Sequence, residues 1–223
     1  MMRLALFDLD GTLLPTDSDH AFGQFMVQIG WADAQEHARR NDAFFLDYQA
    51  GRLDIHAYID FATSSWRHRE AQDVQQMSER FMREVMAPHL RESAQALVAR
   101  HRQRGDRLAI VTATNDFITA PIAKAFGIDT LLATELERDA QGRVTGRIRG
   151  TPCLREGKIE RVSQWLAQQG TRLDAFDEVV FYSDSTNDLP LLELVTHPVA
   201  TNPAPALAKI AAERGWTVLN LFE

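Results

Sequence analysis

Cysteine is nearly absent from this sequence. The 223 residues include one cysteine, Cys153, which excludes an intramolecular disulfide and leaves no cysteine cluster for zinc. Its neighbours Pro152 and Leu154 favour a structural thiol over a catalytic one, and a lone thiol fits a reducing compartment. The seven histidines show no metal-like spacing, so we interpret each as a surface or packing residue.

The sequence also lacks excess positive charge and long apolar runs. Its 24 basic and 31 acidic residues give a formal net charge of −7, which argues against a general nucleic-acid-binding surface. No apolar stretch reaches the roughly 20 residues that a membrane span needs. Asp8 interrupts the N-terminal apolar segment, so we expect no secretory signal and a cytoplasmic location. The oligomeric state is not determined by the sequence.

The first motif with chemical content is an apolar run that ends in Asp8-Leu9-Asp10-Gly11-Thr12. Because side chains alternate along a strand, Asp8 and Asp10 project to one side at its C-terminal tip. Gly11 then turns the chain away, which leaves both acids at the edge where open α/β sheets bind ligands. The alternative is that both acids are simple turn formers.

Two further apolar runs deliver polar residues in the same way. Residues 178–183 lead into Asp184 and Asp188, and residues 107–111 lead into Thr112. Carboxylates from two strand ends suit a hard cation such as Mg²⁺, because that ion prefers oxygen ligands. The alternatives are that Asp184 and Asp188 cap a helix predicted at residues 186–194, and that Thr112 is an ordinary strand residue.

An anion-binding group is predicted beside these acids. Thr112 offers a hydroxyl, Ala113 and its neighbours offer backbone N–H groups, and Lys158 near the start of a helical segment offers an ammonium. Lys158 taken alone is more typical of a solvated surface lysine, so its assignment depends on its place in the order of the motifs. Acids, a metal and anion-binding donors together predict phosphoryl transfer.

In this order the motifs resemble those of the haloacid dehalogenase-like phosphatases and span most of the chain. They stand here as Asp8-Leu-Asp10-Gly-Thr12, Val111-Thr112-Ala-Thr, Lys158, and Ser183-Asp184-Ser-Thr-Asn187-Asp188. The resemblance implies that Asp8 is a nucleophile that forms an aspartyl-phosphate. It implies that Asp10 protonates the leaving group and then deprotonates the attacking water.

The resemblance also implies the ligands of the metal and of the phosphoryl group. Mg²⁺ is expected on the Asp8 carboxylate, the Asp10 backbone carbonyl and Asp184, with Asp188 in support. Phosphoryl oxygens are expected to be held by Thr112, Ala113 and Lys158, with Asn187 contacting the site from its loop. The expected partner is a small-molecule phosphate ester.

The alternation of strands and helices predicts an α/β fold with a doubly wound, mostly parallel sheet. Residues 17–87 are helical in pattern and rich in aromatics, and they occupy the place of the family's helical cap. We therefore predict a core of residues 1–15 and 88–223 with a cap domain of residues 16–87. Strand-like residues 131–135 and 143–148 predict a hairpin around Gly142.

Substrate choice is expected to lie in the cap. The chain looks most like the phosphoserine phosphatase branch, in which an acid meets the substrate ammonium and a cap arginine holds its carboxylate. Here the acid position is Asp17, and Asp60 stands where the arginine is expected. An anion there disfavours phosphoserine, unless Arg67 or Arg69 substitutes from another helix.

Asp17 without that arginine suits a cationic substrate that has no carboxylate. The chain is similar to bacterial histidinol-phosphate phosphatases of this type, so histidinol phosphate is the preferred substrate hypothesis. Asp17 is equally compatible with a role as the N-cap of the first cap helix. The open alternatives are a phosphoserine or phosphatidylglycerophosphate phosphatase, a phosphotransferase, and a non-catalytic phosphate-binding domain.

Overall fold

The apolar run at the N-terminus forms the central strand of a six-stranded sheet in the computed structural model, which describes residues 2–222. The strands in this range are β1 (Arg3–Phe7), β2 (Arg107–Asn115), β3 (Leu131–Thr134), β4 (Leu136–Arg138), β5 (Val144–Ile148), β6 (Glu178–Ser183), β7 (His197–Thr201) and β8 (Thr217–Leu219). The sheet order is β3-β2-β1-β6-β7-β8, and every neighbouring pair is parallel. The predicted fold class is confirmed.

Helices cover both faces of this sheet. They are α1 (Ser18–Gln28), α2 (Ala34–Gln49), α3 (Ile55–Ser64), α4 (Ala71–Phe81), α5 (Glu92–Gln103), α6 (Asp116–Ala125), α7 (Glu156–Gln168), α8 (Leu189–Leu192) and α9 (Pro205–Arg214). A π-helical turn at Met82–Met86 and a 3₁₀ turn at Ala87–His89 follow α4. No helix among residues 2–222 has the length and apolar character needed to cross a bilayer.

Alternation along β1 creates two apolar cores. Ala5 and Phe7 pack on one face of the sheet with residues of α1, α3 and α4, whereas Leu4 and Leu6 pack on the other with residues of α7, α8 and α9. Burial on both faces is the pattern of a parallel sheet covered by helices. Cys153 belongs to the second core, where burial raises the pKa of its thiol to about 12, as expected for a structural cysteine.

Helices α1 to α4 lie in the chain between β1 and β2, where the cap is predicted. Their aromatic residues pack on one another: the rings of Phe22 and Phe81 meet edge-on at 5.0 Å, and those of Phe44 and Phe61 lie 5.3 Å apart. The division into a cap of residues 16–87 and a two-part core stays a prediction. Residues 1 and 223, its outer limits, lie outside the described range.

The predicted hairpin exists, but the prediction of its first strand was wrong. Residues 131–134 join the main sheet beside β2, and the antiparallel partner of β5 is the short strand β4. Leu132 and Ala133 are both buried in the parallel sheet, and this burial outweighs a local pairing. The helix predicted at residues 186–194 is also shorter, because a 3₁₀ turn at Thr186–Asp188 precedes α8.

Candidate active site

Three adjacent strands end at one edge of the sheet and place the predicted acids there. Asp8 directly follows β1, and its backbone N–H donates to the carbonyl of Tyr182 in β6 at 2.9 Å. Asp184 directly follows β6, and Thr112 lies in β2 on the opposite side of β1. Strands β2 and β6 flank β1 on opposite sides, so the strand order changes direction at β1. Open α/β sheets usually bind their ligands at the carboxyl ends of the strands at such a point.

A buried ammonium links two of the predicted acids. Lys158 lies in the first turn of α7 and donates from Nζ to Asp8 Oδ1 at 2.8 Å and to Asp188 Oδ2 at 2.7 Å. Burial by itself lowers the pKa of Lys158, but the charges of Asp188 and Asp8 outweigh it and raise the pKa. The lysine is therefore a fixed positive charge beside the predicted nucleophile. The Ser183 hydroxyl donates to the same Asp188 oxygen at 2.7 Å and fixes the position of this carboxylate. Asp188 in turn positions the Lys158 ammonium.

Asp8 and Asp184 converge on one hydroxyl. Thr12 Oγ1 lies 3.2 Å from Asp8 Oδ2 and 3.3 Å from Asp184 Oδ1. The loop that carries Thr12 is held by Asn202, whose Nδ2 donates to the carbonyls of Gly11 at 2.9 Å and of Thr12 at 3.2 Å. Nothing in the sequence pattern pointed to Asn202, which follows β7 and reaches the loop only in the folded chain.

The donor set near Asp184 fits a divalent cation. Burial, followed by the charges of Asp8 and Asp188, raises the pKa of Asp184 well above its usual range, so negative charge there lacks a sufficient counterion. Among residues 2–222 no cluster of three or more acidic, cysteine or histidine side chains suits a metal ion. Two carboxylates with a backbone carbonyl are the modest set that Mg²⁺ accepts, because it keeps waters and binds substrate phosphate oxygens.

Two hydrogen-bond donors orient the Asp10 carboxyl group in the site. The N–H of Ser18 donates to Asp10 Oδ1 at 2.7 Å, and the hydroxyl of Thr114 donates to Oδ2 at 2.8 Å. Burial and then the charge of Asp17 raise the pKa of Asp10 to about 7, despite these hydrogen bonds. A carboxyl group with that pKa exchanges protons near neutral pH, as a general acid and base must.

Thr112 is buried and its hydroxyl oxygen accepts from the N–H of Thr114 at 3.2 Å. Within residues 2–222 this hydroxyl donates no hydrogen bond, so its proton is available to a bound group. Thr112 and Ala113 both line the pocket that opens above Asp8 and Asp10. This placement suits the predicted contact with phosphoryl oxygens.

Asn187 lies at the rim of the site rather than in this pocket. Its Nδ2 donates to the carbonyl of Tyr48, at the end of α2, at 3.1 Å. The same stretch of chain approaches at Gly51, where a β-carbon would lie 3.4 Å from Asn187 Oδ1. Asn187 therefore connects the sheet edge to the predicted cap.

Asp17 caps the first cap helix, as the alternative interpretation predicted, and it also lines the pocket. It is the N-cap of α1, where Oδ1 accepts from the N–H of His20 at 2.8 Å. Burial raises the pKa of Asp17, while the hydrogen bonds from His20 and Asp19 lower it. Capping and contact with a ligand are compatible in this position.

The pocket is lined by acidic and aromatic residues. The sequence pattern did not identify most of the residues in the wall that lies opposite the ends of the strands, here called the upper wall. The residues that line it above the catalytic edge are Asp17, Asp19, His20, Asn41, Phe44, Phe45, Tyr48, Leu53, Ile55 and Tyr58. Another aromatic residue of the predicted cap, Phe22, does not line the pocket but packs in the core against Phe117. A repeating i, i+3 or i+4 pattern identifies buried helix faces but does not indicate which of them lines a cavity.

Arg67 and Arg69, the two arginines considered as possible binding groups for a substrate carboxylate, lie outside the pocket. Arg67 Nη1 binds Asp60 Oδ1 at 2.7 Å, and the side chain of Asp60 is 68 % exposed. Arg69 stacks on Trp31, with its guanidinium carbon 4.1 Å from the ring centroid. Neither arginine lines the pocket, so the alternative that one of them holds a substrate carboxylate there is not supported.

Comparison with known proteins places the chain among phosphatases. Residues 5–193 match the haloacid dehalogenase-like hydrolase family. A histidinol-phosphatase from Neisseria meningitidis serogroup C is 44 % identical, with 99 % of each chain covered. A crystal structure of a Bordetella pertussis protein of unknown function is 49 % identical, covers all of both chains and has a TM-score of 0.94.

A more distant structure shares the fold. A substrate-bound phosphoserine phosphatase is 18 % identical, with 98 % of this chain and 93 % of that chain covered and a TM-score of 0.69. At this identity the likeness concerns the architecture of sheet and helices.

Proposed function

The chain belongs to the haloacid dehalogenase-like hydrolase family and is a phosphatase, and we propose that it is an Mg²⁺-dependent hydrolase of histidinol phosphate. The observation that carries the substrate proposal is the charge of the pocket. Asp10, Asp17 and Asp19 line it, and no arginine or lysine does so among the described residues. Such a wall favours a cationic substrate and disfavours one with a carboxylate. The relative at 44 % identity is a histidinol-phosphatase, which supports the same choice.

The proposed reaction begins at Asp8. One of its carboxylate oxygens attacks phosphorus in line with the ester oxygen, so that an aspartyl-phosphate forms as the ester P–O bond breaks. Asp10 gives its proton to the departing alkoxide, and its raised pKa keeps that proton available near neutral pH. Splitting the displacement into two steps lowers the barrier of each.

The second step uses the same residues in reverse. Asp10, now a carboxylate, takes a proton from the water that attacks phosphorus, and the Asp8–phosphorus bond breaks to release inorganic phosphate. Lys158 and Thr112 hold phosphoryl oxygens during both steps, because negative charge accumulates there. Asp8, the Asp10 carbonyl and Asp184 would hold Mg²⁺, with Asp188 in support, and the bound ion would add further charge neutralisation.

The test is a comparison of three esters with purified protein and Mg²⁺. Histidinol phosphate should have a higher kcat/KM than phosphoserine, because the phosphoserine carboxylate meets the acidic wall. An aryl phosphate should be hydrolysed as well, since the chemistry at Asp8 needs only the phosphoryl group. Preference for phosphoserine would contradict the substrate proposal, and failure on all three esters would contradict the reaction.

A further inference from the structure

Asp19 is a buried carboxylate that the proposed reaction does not use. It lies in the first turn of α1, is 9 % exposed and lines the pocket. Its Oδ1 is buried without a hydrogen-bond partner among the described residues. A buried acceptor of this kind costs free energy unless a ligand or solvent donor satisfies it. The arrangement is therefore one that a bound donor would stabilise.

The neighbouring acids are already engaged, which distinguishes Asp19 from them. Asp17 caps α1 through its bond from His20, and Asp10 accepts from Ser18 and Thr114. Among the described residues, the hydroxyl of Tyr58 interacts with the Asp19 carboxyl group. Of these three acids, Asp19 is the one with a carboxylate oxygen that is buried without a partner within residues 2–222.

A second unpartnered atom belongs to the next residue. His20 lines the same pocket, and its Nδ1 is buried without a partner within residues 2–222. Its Nε2 lies 3.1 Å from the side-chain amide nitrogen of Gln24 and 3.5 Å from the Asp42 carboxylate, so among the described residues only Nδ1 is left without a partner. The pocket wall therefore contains two buried polar atoms, Asp19 Oδ1 and His20 Nδ1, that have no hydrogen-bond partner within residues 2–222.

The walls beside these two atoms are aromatic. Phe44 and Tyr58 meet edge-on with ring centroids 5.2 Å apart, and the ring of Phe45 lies 4.8 Å from that of His20. Tyr48 completes this side of the pocket. Aromatic faces attract cations, and they exclude water that would screen a charge pair.

We propose that Asp19, oriented by Tyr58 and flanked by these aromatic rings, is the subsite that binds the cationic end of the substrate, a primary ammonium or an imidazolium. The proposal rests on the proposed phosphatase function and deepens it by assigning the charge recognition to Asp19 rather than to Asp17. Asp17 caps the start of α1, whereas Asp19 supplies the carboxyl oxygen that lacks a donor among the described residues, and a bound cation would favour its ionised form. Tyr58 acts as a positioning residue through its hydroxyl.

The experiment compares D19N with D17N and with D60N as a matched control, since Asp60 is an exposed acid of the same helical region that lies outside the pocket. Each is assayed on histidinol phosphate and on an aryl phosphate with a neutral leaving group. D19N should lower kcat/KM for histidinol phosphate about 10- to 100-fold, as for loss of a charge-assisted hydrogen bond, mainly through KM. The aryl phosphate should change by less than about 3-fold. D60N should change neither.

Two further measurements separate recognition from structure. Y58F should reduce histidinol phosphate turnover in the same direction as D19N, by a smaller factor. D19N keeps the shape of the side chain and the acceptor for Tyr58 but removes a buried carboxyl group whose Oδ1 lacks a partner among the described residues, so the Tm of D19N should equal or exceed that of the wild type. A lower Tm with equal losses on both esters would identify Asp19 as a structural residue and overturn the proposal.

Binding of histidinol itself, measured by calorimetry, tests the subsite without turnover. The wild type should bind it and D19N should bind at least about 10-fold more weakly. If the wild type hydrolyses the aryl ester but D19N and wild type bind histidinol equally, the subsite is wrong and the phosphatase function stands. If no ester is hydrolysed, the proposed function fails, whereas the binding result still decides on Asp19. A greater loss in D17N than in D19N would return the role to Asp17.

Discussion

Gly11 lies directly against the Asp184 carboxylate. A β-carbon built on Gly11 would lie 2.6 Å from Asp184 Cγ and closer still to Oδ2, and the φ of Gly11 is +75°, in the region that favours glycine. The loop after β1 can therefore approach the end of β6 only because position 11 lacks a side chain. This close approach brings Asp184 within reach of Thr12 and Asp8.

Substitution of Gly11 by alanine should disturb the proposed metal site more than the fold. The methyl group must displace the Asp184 carboxylate, and the positive φ adds strain of about 1 kcal/mol or more. We expect G11A to lose at least about 10-fold in kcat and to need more Mg²⁺ for half-maximal activity. Mg²⁺ titrations of G11A and wild type check this. An unchanged Mg²⁺ requirement would contradict the role of this contact.

Asp8→Asn tests the nucleophile. The substitution keeps the size of the side chain but removes the charge that attacks phosphorus, so aryl phosphate turnover should fall below about 1 % of wild type. Circular dichroism should show an intact fold. D8N that retained substantial activity would exclude an aspartyl-phosphate at this residue.

Removal of the divalent cation should abolish activity reversibly. EDTA should stop hydrolysis and added Mg²⁺ should restore it, because the proposed ligands are hard oxygen atoms. Asp184→Ala should lower activity and Mg²⁺ affinity together, and a Mg²⁺ titration of both proteins measures the two effects. Recovery with Zn²⁺ but not Mg²⁺ would point to a different site.

A buried hydrogen-bond network around His101 should control stability in acid. His101 lies 2.7 Å from both Asp106 Oδ2 and the Tyr182 hydroxyl. Burial opposes ionisation of Asp106, but the hydrogen bonds from Arg3 and His101 outweigh it and lower the pKa of Asp106. A lowered carboxyl pKa stabilises the fold above the unfolded-state value of about 3.9, and this stabilisation is lost as pH falls through the folded-state pKa.

Asp106→Asn should therefore lower the Tm at pH 7 and have a diminishing effect below about pH 4. Loss of a hydrogen-bonded carboxylate costs about 1.5–3 kcal/mol, and each kcal/mol corresponds to about 2–4 °C for a chain of this size. Thermal melts of both proteins from pH 7 to pH 3 provide the measurement. A Tm difference that stays constant with pH would contradict the ionic origin of the effect.

The sequence by itself determined the fold class, the family and the residues at the sheet edge. Strand periodicity placed Asp8 and Asp10 on one side of β1, and parallel strands necessarily deliver Asp184 and Thr112 to the same edge. These conclusions follow from local patterns and from the order of the motifs. The family prediction is confirmed, whereas the individual catalytic and metal-binding roles stay predictions.

The tertiary structure alone decided the walls of the pocket and the partner of each buried charge. Asp19 meets Tyr58, and Arg67 meets Asp60 instead of the pocket, because the packing of α1 against its neighbouring helices sets which faces surround the cavity. The pairing of β5 with β4 arose in the same way, since residues 131–134 are buried beside β2. Periodicity defines which residues share a face of one element, whereas contacts between elements depend on how those faces pack together.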